Sequence, residues 1–425
     1  MRASMETTTR THHEVPRPER ETPRPEREQV VLGAEPAMDP PRDPADAFPT
    51  RRERIPALTG IRILLALVLV MHHTLRYLTL DSDRSPRDFG VLYQGPVATC
   101  GFFVLAGIGL YWAYGERLAH DATLETWGRY LRRRWAAVAP LGALGAVLAI
   151  PGELLARIME GAELWVTFAL NVVLLQAWIP AGGGEHGVSL RFDGPTWTLS
   201  ALLFAYVAFP IVALLVHRRI RTRLGLVVLG AAPWLAVVAC AWAYADQPLG
   251  TWMLHVLPIM RFADVLAGVA IGAWIVRHGR PGARAGWLLQ GAAVVVVPTM
   301  MMLAGSGTLD RGWYYGAWYI PPVALLAYSL TALDGPLTRV FALAPIERAG
   351  RVAFALLMLH MPLLLLGSEL GWVEFGNLHG VAIMLAVCLF GAWIVHLKVE
   401  RPLVRRLAGP PALAHPRMPL TSTRR

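Results

Sequence analysis

Two residues in the first long apolar stretch have side chains and a spacing that would let them act together in a reaction. Arg62 and His73 stand eleven residues apart. At 100° per residue that spacing is about three helical turns, so both fall on one helix face, roughly 16 Å apart. An arginine presents a planar fork of donors suited to phosphate or carboxylate. A histidine is the natural proton acceptor near neutral pH. For Arg62 the competing reading is a guanidinium that reaches back to the lipid headgroups; His72 points to another part of the helix. Further along, Arg261 and Asp264 stand at i and i+3, a spacing that pairs them on one face. Burial demands such pairing, and the pair either ties the helix together or binds substrate. His360 lies among leucines and methionines two residues before Pro362, either as packing or as a functional group. Ionisable groups are expensive at membrane depth, which is why these few carry the functional reading.

The elements that must position them are membrane-spanning helices. Of the 425 residues 55% are hydrophobic and only 16% charged, with a mean hydropathy of +0.43, whereas soluble domains carry roughly 25% charged residues. The net charge of +10 does not read as a nucleic-acid footprint, because the arginines cluster in the N-terminal tail and in short loops between apolar runs. Stretches near the ~20 residues needed to span a bilayer fall at about 57–77, 96–114, 135–156, 196–216, 224–245, 256–276, 285–304, 315–333, 352–371 and 378–398. The run from Leu164 to Trp178 is shorter. The arginines at 51, 52 and 54 precede the first span, and further basic groups recur around 129–134, 218–223, 277–284, 339–351 and 398–406. Placing all of them in the cytoplasm leaves both sides of 164–178 outside, so that segment is expected to be a re-entrant or interfacial helix. The fold class is therefore all-α integral membrane, with about ten transmembrane helices plus that extra one and both termini cytoplasmic in the cell membrane.

Residues 1–54 hold no apolar run and repeat PRPERE twice; proline and mixed charge at this density predict a disordered tail, as at 408–425, around a membrane domain over 55–407. Cys100, Cys240 and Cys388 lie in separate apolar runs and show no metal or disulfide spacing. Neither a metal nor a resident cofactor is expected. The cluster Trp313, Tyr314, Tyr315, Trp318 and Tyr319 reads as an interfacial aromatic belt.

The pattern resembles acyltransferase family 3 of membrane O-acyltransferases over residues ~54–407. Arg62 and His73 match its arginine–ten–histidine motif. GFFVLAG at Gly101–Gly107 is similar to the end of its GxDxFFVLSG block, with Cys100 at the aspartate position and Ala106 at the serine. RYLRRRWAAVAP, Arg129–Pro140, resembles its basic run through Arg133 and Arg134, with Ala137 where a further arginine is expected. PTWTLSALLFAYVAFP, Pro195–Pro210, resembles WSLSxExxFYLxxP through Trp197, Leu199, Ser200, Tyr206 and Pro210, with Leu202 at the glutamate position. PIMRFADVLAG, Pro258–Gly268, matches PxxRxxEFxxG with Asp264 standing for glutamate. GRVAFALLMLHMP, Gly350–Pro362, resembles GRISYxxYLxHxP and anchors His360, and ERPLVRR, Glu400–Arg406, is similar to the closing ErP segment.

The resemblance implies transfer of an acyl group, usually acetyl, from acyl-CoA to a hydroxyl of a carbohydrate or glycosylated metabolite, with acyl-CoA a substrate rather than a bound cofactor. Under it Arg62, Arg134 and Arg133 serve the donor phosphates, His73 is the base or a transient acyl carrier, and Arg261, Asp264, His360 and Trp197 position substrate. The alternative is a multi-pass transporter or flippase of a lipid-linked or secondary-metabolite substrate; ten spans with buried charges suit it, but neither an inverted repeat nor paired broken helices are visible.

Overall fold

The computed structural model describes residues 52–78, 86–157, 159–180, 188–307, 311–371 and 378–408. Nearly all of both expected disordered tails lies outside the described residues. The chain runs through helices α1 (Pro56–Leu78), α2 (Gly95–Leu110), α3 (Glu116–His120), α4 (Leu124–Ala156), α5 (Gly161–Val172), α6 (Trp197–Arg218), α7 (Arg223–Tyr244) and α8 (Pro258–His278). It continues through α9 (Ala283–Gly305), α10 (Arg311–Gly316), α11 (Ile320–Ser329), α12 (Pro336–Phe341), α13 (Ala344–Glu369), α14 (Leu378–Val395) and α15 (Arg401–Leu407). Among the described residues nine helices are long and apolar enough to cross a membrane. The protein is an all-α, multi-pass membrane protein.

The expected crossing at 315–333 is not one continuous helix. It divides into α10 and the ten-residue α11 around the turn at Ala317–Tyr319. Pro321 and Pro322 occupy the first turn of α11; a proline starts a helix readily but has no N–H to donate to the ladder of a helix arriving from before it. The segment read as re-entrant forms α5, twelve residues and too short to span. The chain reverses after it at Leu174, which sits in the left-handed region.

Two pairs of helices make the rigid centre. A Cβ on Gly107 would run into the Val265 carbonyl, and one on Gly268 into the Val104 carbonyl, so α2 and α8 touch backbone to backbone. In the same way a Cβ on Gly350 would strike the Thr59 carbonyl and one on Gly60 the Phe341 carbonyl, which locks α1 to the end of α12 and the first turns of α13. Burial follows this plan. In the span containing α2 67% of the apolar window is covered by protein, against 17% for α7, α9 and the last span, whose outer faces show Leu224, Trp242, Leu288 and Val295. Large apolar side chains exposed in this way suit lipid, not water. Two arginines are tied to carbonyls near helix ends: Arg277, in the last turn of α8, donates to the Val216 and Ile220 carbonyls, and Arg280 to those of Thr331 and Ala332. These bonds satisfy carbonyls that a helix C-terminus leaves without a partner.

Candidate active site

Helix α1 carries Arg62 and His73, and each meets a partner from a distant part of the chain. Arg62 is half-buried and within electrostatic range of Arg134, Tyr206 and Arg54. Arg134, from the cytoplasm-predicted end of α4, donates to the Tyr114 hydroxyl at 3.1 Å and lies over the Tyr114 and Tyr206 rings at 5.1 and 5.9 Å. The Tyr130 ring packs edge-on to Tyr114 at 5.2 Å. The Arg134 Nε and the Tyr130 hydroxyl are buried without hydrogen-bond partners, and among the described residues no carboxylate pairs with Arg62 or Arg134. Like charges within electrostatic range disfavour each other, and aromatic faces ease the burial of Arg134 by cation–π contact. Hydroxyl and guanidinium donors grouped in this way are chemically able to bind an anion. Arg133, the neighbouring residue on α4, is also only half-buried.

At the other end of α1 His73 is half-buried, and its Nδ1 lies 2.8 Å from Nε2 of His360 on α13, whose side chain is fully buried. His360 Nδ1 in turn lies 2.9 Å from the Leu357 carbonyl and 3.2 Å from that of Leu356. His72 stacks on Tyr93 at 4.1 Å and meets His73 edge-on at 5.3 Å. A fourth histidine, His255, belongs to the widened helical turn Trp252–Val256 that precedes α8. Its ring packs between Trp197 at 4.7 Å and Tyr315 at 4.4 Å and is within electrostatic range of His72 and Arg261. Despite these histidines, no group of three metal-ligating side chains converges among the described residues.

The buried pair on α8 is held by the fold through most of its polar atoms, Arg261 Nε and Asp264 Oδ2 excepted among the described residues. Arg261 donates from Nη2 to Asp264 Oδ1 at 2.7 Å and from Nη1 to the Tyr315 and Gly316 carbonyls at 2.9 and 3.2 Å. Its guanidinium lies over the Phe103 ring, and Cys100 from α2 approaches Asp264. The sequence-predicted residues therefore separate by access. Arg62, His73, Arg133 and Arg134 are half-buried, while Arg261, Asp264, His360 and Trp197 are buried at 5% exposure or less.

The aromatic cluster at 313–319 turns inward instead of forming a belt. Tyr314 and Tyr319 are buried, the Tyr319 hydroxyl donates to Gln94 at 2.7 Å, and the Trp318 indole to the Met300 carbonyl at 3.0 Å. The break before Pro321 folds this segment back against α2 and α9 and so puts aromatic faces on protein. Two polar positions escaped the sequence reading. His255 carries no periodic or motif signal of its own. Asp193, in the loop before α6, is fully buried with both carboxyl oxygens lacking hydrogen-bond partners, in a space that a side chain on Gly145 would fill. Burial pushes its carboxyl well above the usual carboxylate range.

Comparison with known proteins places the sequence in a family. The model of the acyltransferase domain family 3 matches residues 55–397. Acyltransferase MdmB of Streptomyces mycarofaciens is 28% identical over 388 residues, covering 85% of this chain and 94% of the relative. No solved structure matches the chain.

Proposed function

The chain belongs to acyltransferase family 3, and from that premise we propose that it moves an acyl group, acetyl in the first instance, from acyl-CoA to a hydroxyl of a carbohydrate or glycosylated metabolite. Membership makes it an acyltransferase, and the transporter reading gives way to a transfer chemistry. The observation that carries the finer reading is the placement of two carboxylate-free guanidiniums, Arg62 and Arg134, among tyrosines at one end of α1, with His73 about three turns away on the same helix face.

An acyl-CoA has the same two-ended form: polyanionic phosphates at one end, a thioester at the other, and a flexible arm between. Arg62 and Arg134, with Arg133 beside them, hold the phosphates by charge-assisted hydrogen bonds. The thioester then lies toward His73, which takes the proton of the acceptor hydroxyl as its oxygen attacks the acyl carbon. The C–S bond breaks, and the departing sulfur recovers that proton. Trp197 and the Arg261–Asp264 pair serve the acceptor side by holding the buried elements in place behind it. The arginine-rich loops support a cell-membrane orientation with both termini, and the donor entrance, in the cytoplasm.

The test is transfer of label from radiolabelled acetyl-CoA to a panel of methyl glycosides, and to water, by membranes containing the full chain. His73→Ala is expected to lose roughly 10²–10⁴-fold in rate, the usual worth of a general base. Full turnover by that variant would remove His73 from the chemistry.

A further inference from the structure

His360 is the most deeply buried member of the histidine group, and its contacts decide the protonation of its neighbour. Its Nδ1 faces two backbone carbonyls, Leu357 at 2.9 Å and Leu356 at 3.2 Å. A carbonyl oxygen only accepts, so that nitrogen carries the hydrogen. In the neutral ring Nε2 is then the lone-pair nitrogen, and it faces His73 Nδ1 at 2.8 Å. The two rings are within 12° of parallel with centroids 5.1 Å apart, the arrangement of an end-to-end N–H···N bond between rings nearly in one plane. His73 Nδ1 is therefore the donor, and Nε2 of His73 holds the lone pair.

We propose that His360 is a positioning residue: it fixes His73 in the Nδ1–H tautomer and so makes Nε2 the nitrogen that takes the acceptor's proton. Which nitrogen of a histidine is basic is set by what its other nitrogen bonds to, and backbone carbonyls and carboxylates are the usual setters. Here the carbonyls act at one remove, through a second imidazole. That relay needs two helices held in fixed register, which the backbone contact of Gly350 and Gly60 provides. It also accounts for burial: at 0% exposure His360 is not presented to a substrate, whereas half-buried His73 is. His360 thus changes from a substrate-binding residue to one that acts through His73. In the step itself, His73 Nε2 takes the hydroxyl proton, the O–acyl bond forms, the C–S bond of the thioester breaks, and the thiolate regains the proton from Nε2. His360 neither gains nor loses a proton.

This inference rests on the reading of His73 as the base, and two measurements separate the two ideas. The first is the histidine ¹⁵N spectrum of the full chain in detergent, with His73 assigned by its loss in His73→Gln. The expected result is a protonated Nδ1 and an unprotonated Nε2 at His73, with that preference lost in His360→Leu. A protonated Nε2 in the native chain overturns the inference whatever the activity. The second is CoA-thiol release from acetyl-CoA, with water and methyl glycosides as acceptors. His360→Leu is expected to lower kcat about 10²-fold with KM for acetyl-CoA unchanged, since presenting the wrong tautomer forfeits most of a general base's contribution. His360→Gln, which keeps an acceptor for the His73 N–H, recovers at least several-fold over the leucine variant. Equal loss in both variants, or a change confined to KM, overturns the positioning role. Full turnover by His73→Ala, with the tautomer as expected, overturns instead the reading of His73 as base.

Discussion

Arg134 and Arg261 are both guanidiniums held inside the helical body over aromatic rings, yet their surroundings give them opposite roles. Arg261 is 2% exposed and spends its Nη donors on Asp264 and on the Tyr315 and Gly316 carbonyls, all from its own chain. Arg134 is half-buried, bonds one tyrosine hydroxyl, lies within electrostatic range of Arg62, and pairs with no carboxylate among the described residues. Buried charge must be compensated. Arg261 has an anion within the fold at Asp264, whereas among the described residues no carboxylate pairs with Arg62 or Arg134. An arginine at membrane depth is thus read by counting what its donors already hold.

The comparison breaks most visibly if one half of the α8 pair is removed. Asp264→Ala leaves a buried guanidinium without its anion, and a loss of about 3–5 kcal/mol is expected, seen as a large fall in thermal unfolding temperature in detergent. Replacing both partners by apolar residues of similar size, Arg261→Met with Asp264→Leu, should recover most of that loss. An unchanged melting temperature in Asp264→Ala would mean that the pair is not structural.

Next in size is the anion pole. Arg134→Ala should raise KM for acetyl-CoA by about 10- to 100-fold, since a charge-assisted hydrogen bond contributes on the order of 1.5–3 kcal/mol, with little change in melting temperature.

Asp193 sharpens the rule from the other side, as an acid with no fixed partner. Its folded carboxyl stays protonated well above the usual carboxylate range, whereas the unfolded one ionises near 4. Stability is therefore intact below that lower value and declines as pH rises through the interval up to the folded value. Asp193→Asn removes the dependence and should raise the melting temperature at neutral pH; a fall would show that the carboxylate is needed.

The smallest effect is expected at the bidentate Arg339–Asp334 bridge in the loop before and along α12, with both bonds at 2.7 Å but in solvent. Arg339 and the Gly335 amide hold the Asp334 carboxyl below its ordinary value. Its contribution is present above the ordinary Asp value and fades as pH falls through the lowered one. Asp334→Ala should leave unfolding between pH 5 and 8 unchanged within error; a clear drop there would show the loop to be more tightly coupled to the helices than solvent-exposed charges suggest.

Sequence went furthest where the reasoning was local. The shared face of Arg62 and His73 and the i, i+3 pair Arg261–Asp264 follow from helical periodicity alone, and the pair is found as expected. The shortness of α5 was legible because the basic loops on either side left no room for a crossing. The division near 319 was also signalled, since two consecutive prolines stand inside the expected span, but mean hydropathy masked them. His73–His360 spans 287 residues, a contact that no local pattern encodes. Asp193 followed by Gly194 and Pro195 reads as an ordinary turn; its burial comes from α4 and α13 closing over the loop, which only the tertiary structure shows. The inward turn of the aromatics at 313–319 has the same origin.

The donor-phosphate role proposed for Arg62 and Arg134 has a direct test. The most direct measurement is the shift in melting temperature that CoA produces in the purified full chain and in Arg134→Ala and Arg62→Ala. The account predicts a concentration-dependent rise in the native protein, a strongly reduced rise in either variant, and unliganded melting temperatures close to native in both. An undiminished CoA-induced rise in both variants would contradict it.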